Sequence, residues 1–273
     1  MSLSVVDLYK SVLPRTNCRD CGFPTCLAFA GKVVSEQYPL KNCPHIPADL
    51  LANSEAELAA QYAKGLWLRR DMAADALKWA RQRAASLDLK DLPARLGGEI
   101  VAGANGPELR LPYFTDFLRI NGAAIRREDG RELGRYEQVF ILNHLAQGGW
   151  RGPTGAWKGF IEFPNTVSKA VTMKKSVEEP LAARFAGKTE ALRQRAEMIG
   201  AVALTIADSQ AHVSLLFTPL PRIPLALLFW DGGDDFAAQA RLMFDETVTE
   251  HLDIESIIFL SERLRQLLCD EAD

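Results

Sequence analysis

Cys18, Cys21, Cys26 and Cys43 fall within a stretch of 26 residues near the amino end, spaced C-x2-C-x4-C-x16-C. In a reducing compartment, clustered cysteines read as metal ligands before they read as disulfides, because the thiolate is a soft and strong donor. Structural zinc sites of four cysteines come as two close pairs separated by a long loop. Here three close cysteines precede one distant Cys43-Pro44, the habit of cubane clusters in which a compact loop wraps three corners and a remote Cys-Pro supplies the last. The expected cofactor is therefore one [4Fe-4S] cluster, with Cys18, Cys21, Cys26 and Cys43 as its ligands. A zinc knuckle or a set of unrelated buried thiols is the alternative that spacing leaves open, since thiolate sites also accept zinc.

The residues between the cysteines fit the same purpose. Gly22 can adopt backbone angles closed to other residues, Pro24 stiffens the return of the loop, and Thr25 can cap a helix. A helix over Cys26–Gln37 is predicted, its first N–H groups facing a negative cluster. Leu27, Ala30, Val33 and Val34 recur on one face of that helix, and Leu13, Phe23, Phe29 and Ile46 are candidates for an apolar shell.

The run from Leu13 to Ala30, with Cys43-Pro44 after it, resembles the small four-cysteine iron-sulfur domain of several anaerobic redox proteins. These include the large subunit of the corrinoid iron-sulfur protein, the matching subunit of acetyl-CoA decarbonylase/synthase and the B subunit of Rnf-type electron-transport complexes. The resemblance spans residues 3–48 and implies one [4Fe-4S] cluster used for electron transfer, with all four ligands present.

Beyond the cysteines, candidate chemistry is sparse. His45 lies two residues after Cys43 and reads as an exposed imidazole beside the loop, while His144, His212 and His251 have no neighbour suggesting a triad or an H-E-x-x-H helix. Cys269 precedes Asp270-Glu271, whose charges disfavour a reactive thiolate. Glu178-Glu179, Asp234-Asp235 and Glu262 read as solvated faces. The loop from Gly148 to Phe160 holds glycines and Lys158 without the phosphate-loop spacing, so a turn-rich loop anchored by Trp150 and Trp157 is expected. No cobamide-binding D-x-H-x-x-G occurs, and a corrinoid on this chain is not expected.

Around these residues the chain organises itself into three stretches: a cluster domain at 1–50, a helical connector at 51–93 and an α+β domain at 94–273. The connector starts from a capping box at Ser54 and Glu57, carries Leu58, Tyr62, Leu66 and Arg69-Arg70 at helical spacing, runs to Ser86, and packs Trp67 and Trp79 inward. Strands follow at Glu99–Val101, Glu108–Leu111 and Phe114–Ile120, the last ending in an Asn121-Gly122 turn. Helices are predicted at Tyr136–Gln147, Val177–Gly187 and Lys188–Ile199, and strands at Ala201–Ala207, Ala211–Phe217 and Leu225–Trp230. An acidic turn, a short helix near Asp235–Leu242 and an amphipathic helix over Asp253–Leu268 complete the chain. The expected fold class is α+β: an iron-sulfur module, a helical connector, then a mixed, mainly antiparallel sheet with flanking helices. Gly155-Ala156-Trp157-Lys158-Gly159-Phe160, the run from Pro221 through Asp234, and Leu242-Met243-Phe244-Asp245 resemble domain-of-unknown-function family 3786 over residues 95–268, a resemblance that implies no chemistry.

The 273 residues are 48% hydrophobic and 25% charged, with a formal charge of −3, a soluble globular composition without a basic stripe for nucleic acid. The longest strongly apolar run, Pro224–Trp230, is far short of the roughly 20 residues that cross a bilayer, and MSLSVVDLYK lacks the basic start of a secretory signal. A cytoplasmic protein is expected. The functional expectation is an electron carrier or accessory protein that passes single electrons to a redox or corrinoid-type partner protein. The alternative is an iron-sulfur enzyme or cofactor-binding protein with a small-molecule or tetrapyrrole site in the C-terminal domain.

Overall fold

The computed structural model describes residues 3–64, 72–85, 87–122, 124–206, 209–233 and 236–270. Leu66, Trp67, Arg69-Arg70, Ser86 and the Asp234-Asp235 turn lie outside them. The chain forms two compact units, residues 1–72 and 73–273.

In the first unit, α1 (Val5–Asp7) runs into a π-type turn, Leu8–Val12, that ends at extended Leu13. Pro14 is the reason, because proline drives its predecessor out of the helical region. The cysteine loop follows, then α2 (Cys26–Glu36), a 3-10 turn at Leu40–Asn42 and α3 (Ala48–Ala63). Thr25 caps α2 by accepting the N–H of Ala28, and Gln37 closes it in the left-handed conformation. The start of α3 differs from the expectation at Ser54: the helix begins at Ala48, capped by Pro47, whose missing N–H costs nothing there, with Asp49 in its first turn. Ser54 is buried in the middle of the helix. Leu8, Phe29, Ala30, Val33, Val34, Leu40 and Leu58 form this unit's core, whereas Leu27 is exposed.

The second unit opens with α4 (Met72–Ala84), whose Leu77, Ala80 and Ala84 enter its core while Trp79 faces solvent instead of packing inward. After α5 (Leu92–Leu96), β1 (Glu99–Gly103), β2 (Gly106–Tyr113), β3 (Asp116–Asn121) and β4 (Ala124–Arg127) build an antiparallel meander. The third strand starts two residues later than expected because Phe114 and Thr115 form the β2–β3 turn, with Phe114 left-handed at φ 51°. The Asn121-Gly122 turn lies where its residue types place it.

Helix α6 (Arg135–Gln147) leads through the glycine-rich loop to β5 (Trp157–Gly159). Next come α7 (Val167–Met173), a π-type turn at Lys174–Glu178, and α8 (Glu179–Phe185). Sequence reading places the start of this helical stretch ten residues too late, at Val177. The π-type turn has a local cause, since Pro180 offers no N–H to the carbonyl four residues earlier. Then α9 (Thr189–Met198), β6 (Val202–Ala203), β7 (Val213–Leu220), β8 (Ile223–Trp230), β9 (Gln239–Asp245), α10 (Val248–His251) and α11 (Ile254–Cys269) follow. The second sheet has the order β5-β9-β8-β7-β6, antiparallel throughout.

Strand β9 replaces the helix expected near Asp235–Leu242. Ala240, Leu242 and Phe244 are buried while Gln239 and Arg241 are exposed, the period of two that marks a strand with one face on the core. The stretch from Ala201 shrinks to the two residues of β6. Pro219 falls at a break in the β7–β8 register, the position a proline tolerates, and its carbonyl accepts the N–H of Phe114, tying the two sheets together. The protein is α+β, with helices flanking antiparallel sheets. No helix among the described residues is long and apolar enough to cross a membrane.

Candidate metal centre

The cysteine loop stands out first by its backbone. Arg15, Asn17 and Arg19 have φ of 59°, 52° and 70°, and Gly22 has 82°. Glycine takes that region freely, whereas each arginine there costs about 1–2 kcal/mol. Such strain persists only where surrounding contacts over-determine it, and it clusters at ligand-holding loops. The contacts are visible: Asn17 Oδ1 accepts the N–H of Cys26 at 2.8 Å, binding the loop to the first turn of α2. The Gly22 N–H donates to the Arg19 carbonyl at 2.8 Å and closes a turn around Cys21. Cys43 follows the 3-10 turn, its N–H donating to the Leu40 carbonyl at 3.1 Å.

Cys26 and Cys43 are buried, Cys21 is half-buried and Cys18 is exposed. Burial pushes the Cys43 thiol up; the N–H of His45 opposes this by donating to its sulfur, and the negative charges of Cys21, Cys26 and Cys18 add to the push. Cys21 packs partly against the core that holds Cys26 and Cys43, and Cys18 lies beside His45, two residues after Cys43. Leu13, Phe29 and Ile46 are buried in the same core as Cys26 and Cys43, and Phe23 packs partly against it. Soft anionic donors, an N–H···S bond and an apolar wall suit an iron-sulfur group.

On the exposed side, Asp20 and His45 join Cys18, with ligand atoms within 4.8 Å of one another. His45 Nε2 lies 2.5 Å from Asp20 Oδ2, so the imidazole is paired rather than free. Hydrogen bonds from His45 and then from the Cys18 thiol hold the Asp20 carboxyl below the usual range. Neither Asp20 nor Asn17 carried a sequence signal of its own, because each acts through a partner brought by loop curvature.

Elsewhere the structure revises the inventory. His144 and His251 are fully buried beside each other, ring centroids 5.6 Å apart and planes tilted by 56°. His212 Nδ1 accepts the N–H of Asp231. Glu178 and Glu262 are not solvated faces: burial raises both carboxyls, and Glu178 accepts the Leu242 N–H at 3.2 Å. Burial, ahead of its acidic neighbour, also raises the Cys269 thiol. In the glycine-rich loop Trp150 is exposed rather than anchoring, and the N–H groups of Thr154 and Gly155 donate to buried Asp245 at 2.9 and 2.7 Å. Burial works against the Asp245 charge, but these donors and Thr247 win and hold its carboxyl low. A carboxylate of the protein itself thus takes the place a phosphate loop would offer to a ligand.

A model of the family described as domain of unknown function (DUF3786) matches residues 88–267, well over half of the chain. The chain belongs to the DUF3786 family. A second model, FeS, which describes an Fe-S cluster, matches residues 13–45 and makes this stretch of the DUF3786 protein an iron-sulfur domain. Over 42 residues it is 45% identical to the acetyl-CoA decarbonylase/synthase complex subunit gamma of Methanocaldococcus jannaschii, covering 15% of this chain and 8% of that protein. It is 39% identical over 64 residues to the corrinoid/iron-sulfur protein large subunit of Moorella thermoacetica, 23% of this chain and 14% of that one. It is 46% identical over 41 residues to the subunit gamma 1 of Methanosarcina thermophila, 15% and 8%. The chain thus spans between 8% and 14% of the length of these curated relatives. No solved structure matches it.

Proposed function

We propose that Cys18, Cys21, Cys26 and Cys43 hold a single [4Fe-4S] cluster and that the protein passes single electrons to a redox partner protein. The observation that carries this reading is that the fold sets Cys21, Cys26 and Cys43 on one apolar core with Cys18 beside His45, in a stretch matched by an Fe-S cluster model. Bound there, a cubane supplies reversible one-electron chemistry. The chain's own residues would do the rest. Phe29, Leu13 and Ile46 exclude water behind Cys26 and Cys43, the His45 N–H withdraws charge from the Cys43 sulfur, and Asn17 keeps the N-terminus of α2 in place. Cys18 is the exposed thiol, so electrons would enter and leave on its side, beside Asp20 and His45.

The relatives matched over this short stretch are named as an acetyl-CoA decarbonylase/synthase subunit and a corrinoid/iron-sulfur protein subunit, which supports a corrinoid-type protein as the partner and the cytoplasm as the setting. The cluster domain of 1–50, connector of 51–93 and α+β domain of 94–273 fit this division of labour, with the carrier at one end and recognition at the other. The test is anaerobic purification with iron and sulfide analysis, then electron paramagnetic resonance before and after dithionite. About four irons per chain and a reduced-state signal are expected. One tetrahedral zinc in protein prepared without oxygen would overturn the proposal.

A further inference from the structure

A cleft of about 510 Å³ opens in the second unit between the β2–β3 turn, the end of α9 and the end of α11. Arg127, Arg131, Arg195 and Arg263 line it against one carboxylate, Asp270. These arginines come from four separate segments: the end of β4, the loop after it, α9 and α11. Like charges brought together by tertiary structure repel, so each must be balanced, and the balance is uneven. Arg127 meets Asp116 at 3.1 Å and Asp129 at 2.5 Å. Arg263 meets Glu137 at 2.9 Å, on a carboxylate that also accepts from Tyr113 and Gly134 beneath the cleft.

Among the described residues Arg195 has no such carboxylate. Its Nε and Nη2 donate to the carbonyls of Leu267 and Asp270 at 2.9 and 2.7 Å, dipoles that orient the guanidinium without cancelling its charge. Its Nη1 makes no hydrogen bond among the described residues. Arg131 is 75% exposed and lies 3.7 Å from Asp129, a loose pair in water. Two arginines therefore offer donors to the cleft, where planar forks match carboxylate and phosphate oxygens. The remaining wall is mostly apolar, with Phe114, Ile199, Leu267 and Met198, the last 65% exposed, beside Thr115 and Gln266. Phe114 stands there in a left-handed conformation, a strained backbone at the lip of a concave surface. A larger cleft of about 670 Å³ beside the π-type turn lacks this bias, since its Lys174 and Arg241 face Glu179 and Glu162.

We propose that the cleft formed by Phe114, Arg131, Arg195 and Met198 binds a small organic oxyanion, a carboxylate or a phosphate ester carrying an apolar body. The volume suits one small molecule, with the guanidiniums holding the oxyanion and Met198 and Phe114 covering the body. The proposal is independent of the redox reading, because binding needs no reduction of the first unit.

The test titrates the full-length, anaerobically prepared protein with phenyl phosphate, benzoate and neutral benzyl alcohol by calorimetry. One saturable site for either anion and none for benzyl alcohol is expected; the tighter anion assigns the class as phosphate ester or carboxylate. Arg195→Ala should weaken binding about tenfold, as loss of a charge-assisted pair does. That variant also frees the end of α11, so Arg131→Ala and Met198→Glu, which alter exposed side chains, serve alongside it and should weaken binding several-fold. Arg241→Ala, in the other cleft, should leave it unchanged. Benzyl alcohol binding as tightly as the anions, indifference to both Arg131→Ala and Met198→Glu, or no saturation by either anion below about 10 mM would overturn the proposal.

Discussion

Acidification from pH 7 to pH 5 should destabilise the second unit through His144. The ring is fully buried, and its Nδ1 faces the carbonyl of His251 at 3.3 Å. A carbonyl only accepts, so Nδ1 carries the proton and Nε2 holds a lone pair, which has no partner among the described residues. His251 repeats the pattern, with Nε2 donating to the Arg151 carbonyl and Nδ1 left alone. Adding a proton to His144 would place a charge where nothing accepts it; burial first, then repulsion from His251, lowers its pKa from 6.5 to about 3. The unfolded chain therefore binds more protons than the folded one between these values. Stability is complete above pH 6.5 and declines as the pH falls toward 3. Over the interval from pH 7 to pH 5 the loss is about 2 kcal/mol at 1.36 kcal/mol per unit. His251, lowered in the same direction, adds to it. Urea unfolding at both pH values, followed by hydrogen exchange of amides in β8 and α11, isolates this unit. In His144→Leu the acid-induced loss should shrink by about that amount. An equal loss in both proteins would refute the reasoning.

Three further outcomes follow from the first unit. Phe29→Ala, which empties a fully buried site beside Phe23 and Tyr38, should cost about 3–5 kcal/mol in chemical denaturation of the metal-free protein. Thr25→Ala removes the acceptor for the Ala28 N–H and should cost about 1 kcal/mol, with Thr25→Asn restoring most of it in the same assay. Since the Cys43 thiol is raised, a metal must displace its proton at neutral pH. Zinc affinity of the metal-free protein, measured by competition with a chromophoric chelator, should rise between pH 6 and pH 8, about tenfold per unit for each proton displaced; a flat profile would exclude the buried thiol as a ligand.

The iron-sulfur domain was legible in sequence because its information is local. Three cysteines and their turn residues lie within one loop, and Thr25 and Gln37 bound α2 through short-range backbone preferences. The α+β class was legible too, since β7 alternates through Phe217, β8 is a continuous apolar run through Phe229, and α11 carries an amphipathic face. Strand β9 was missed because a seven-residue strand beside an acidic turn resembles a short helix until β8 supplies its hydrogen-bonding edge. Two kinds of feature arise only in tertiary structure. His144 and His251 are 107 residues apart along the chain, and no local signal says that their rings meet in a buried core. Arg131 and Arg195 meet at one cleft because β4, α9 and α11 pack together, so the charge there is set by which carboxylates the fold sends elsewhere. Ligand type follows from residue identity and spacing; burial and long-range pairing follow from the fold, which alone decides how much water and which countercharge each group keeps.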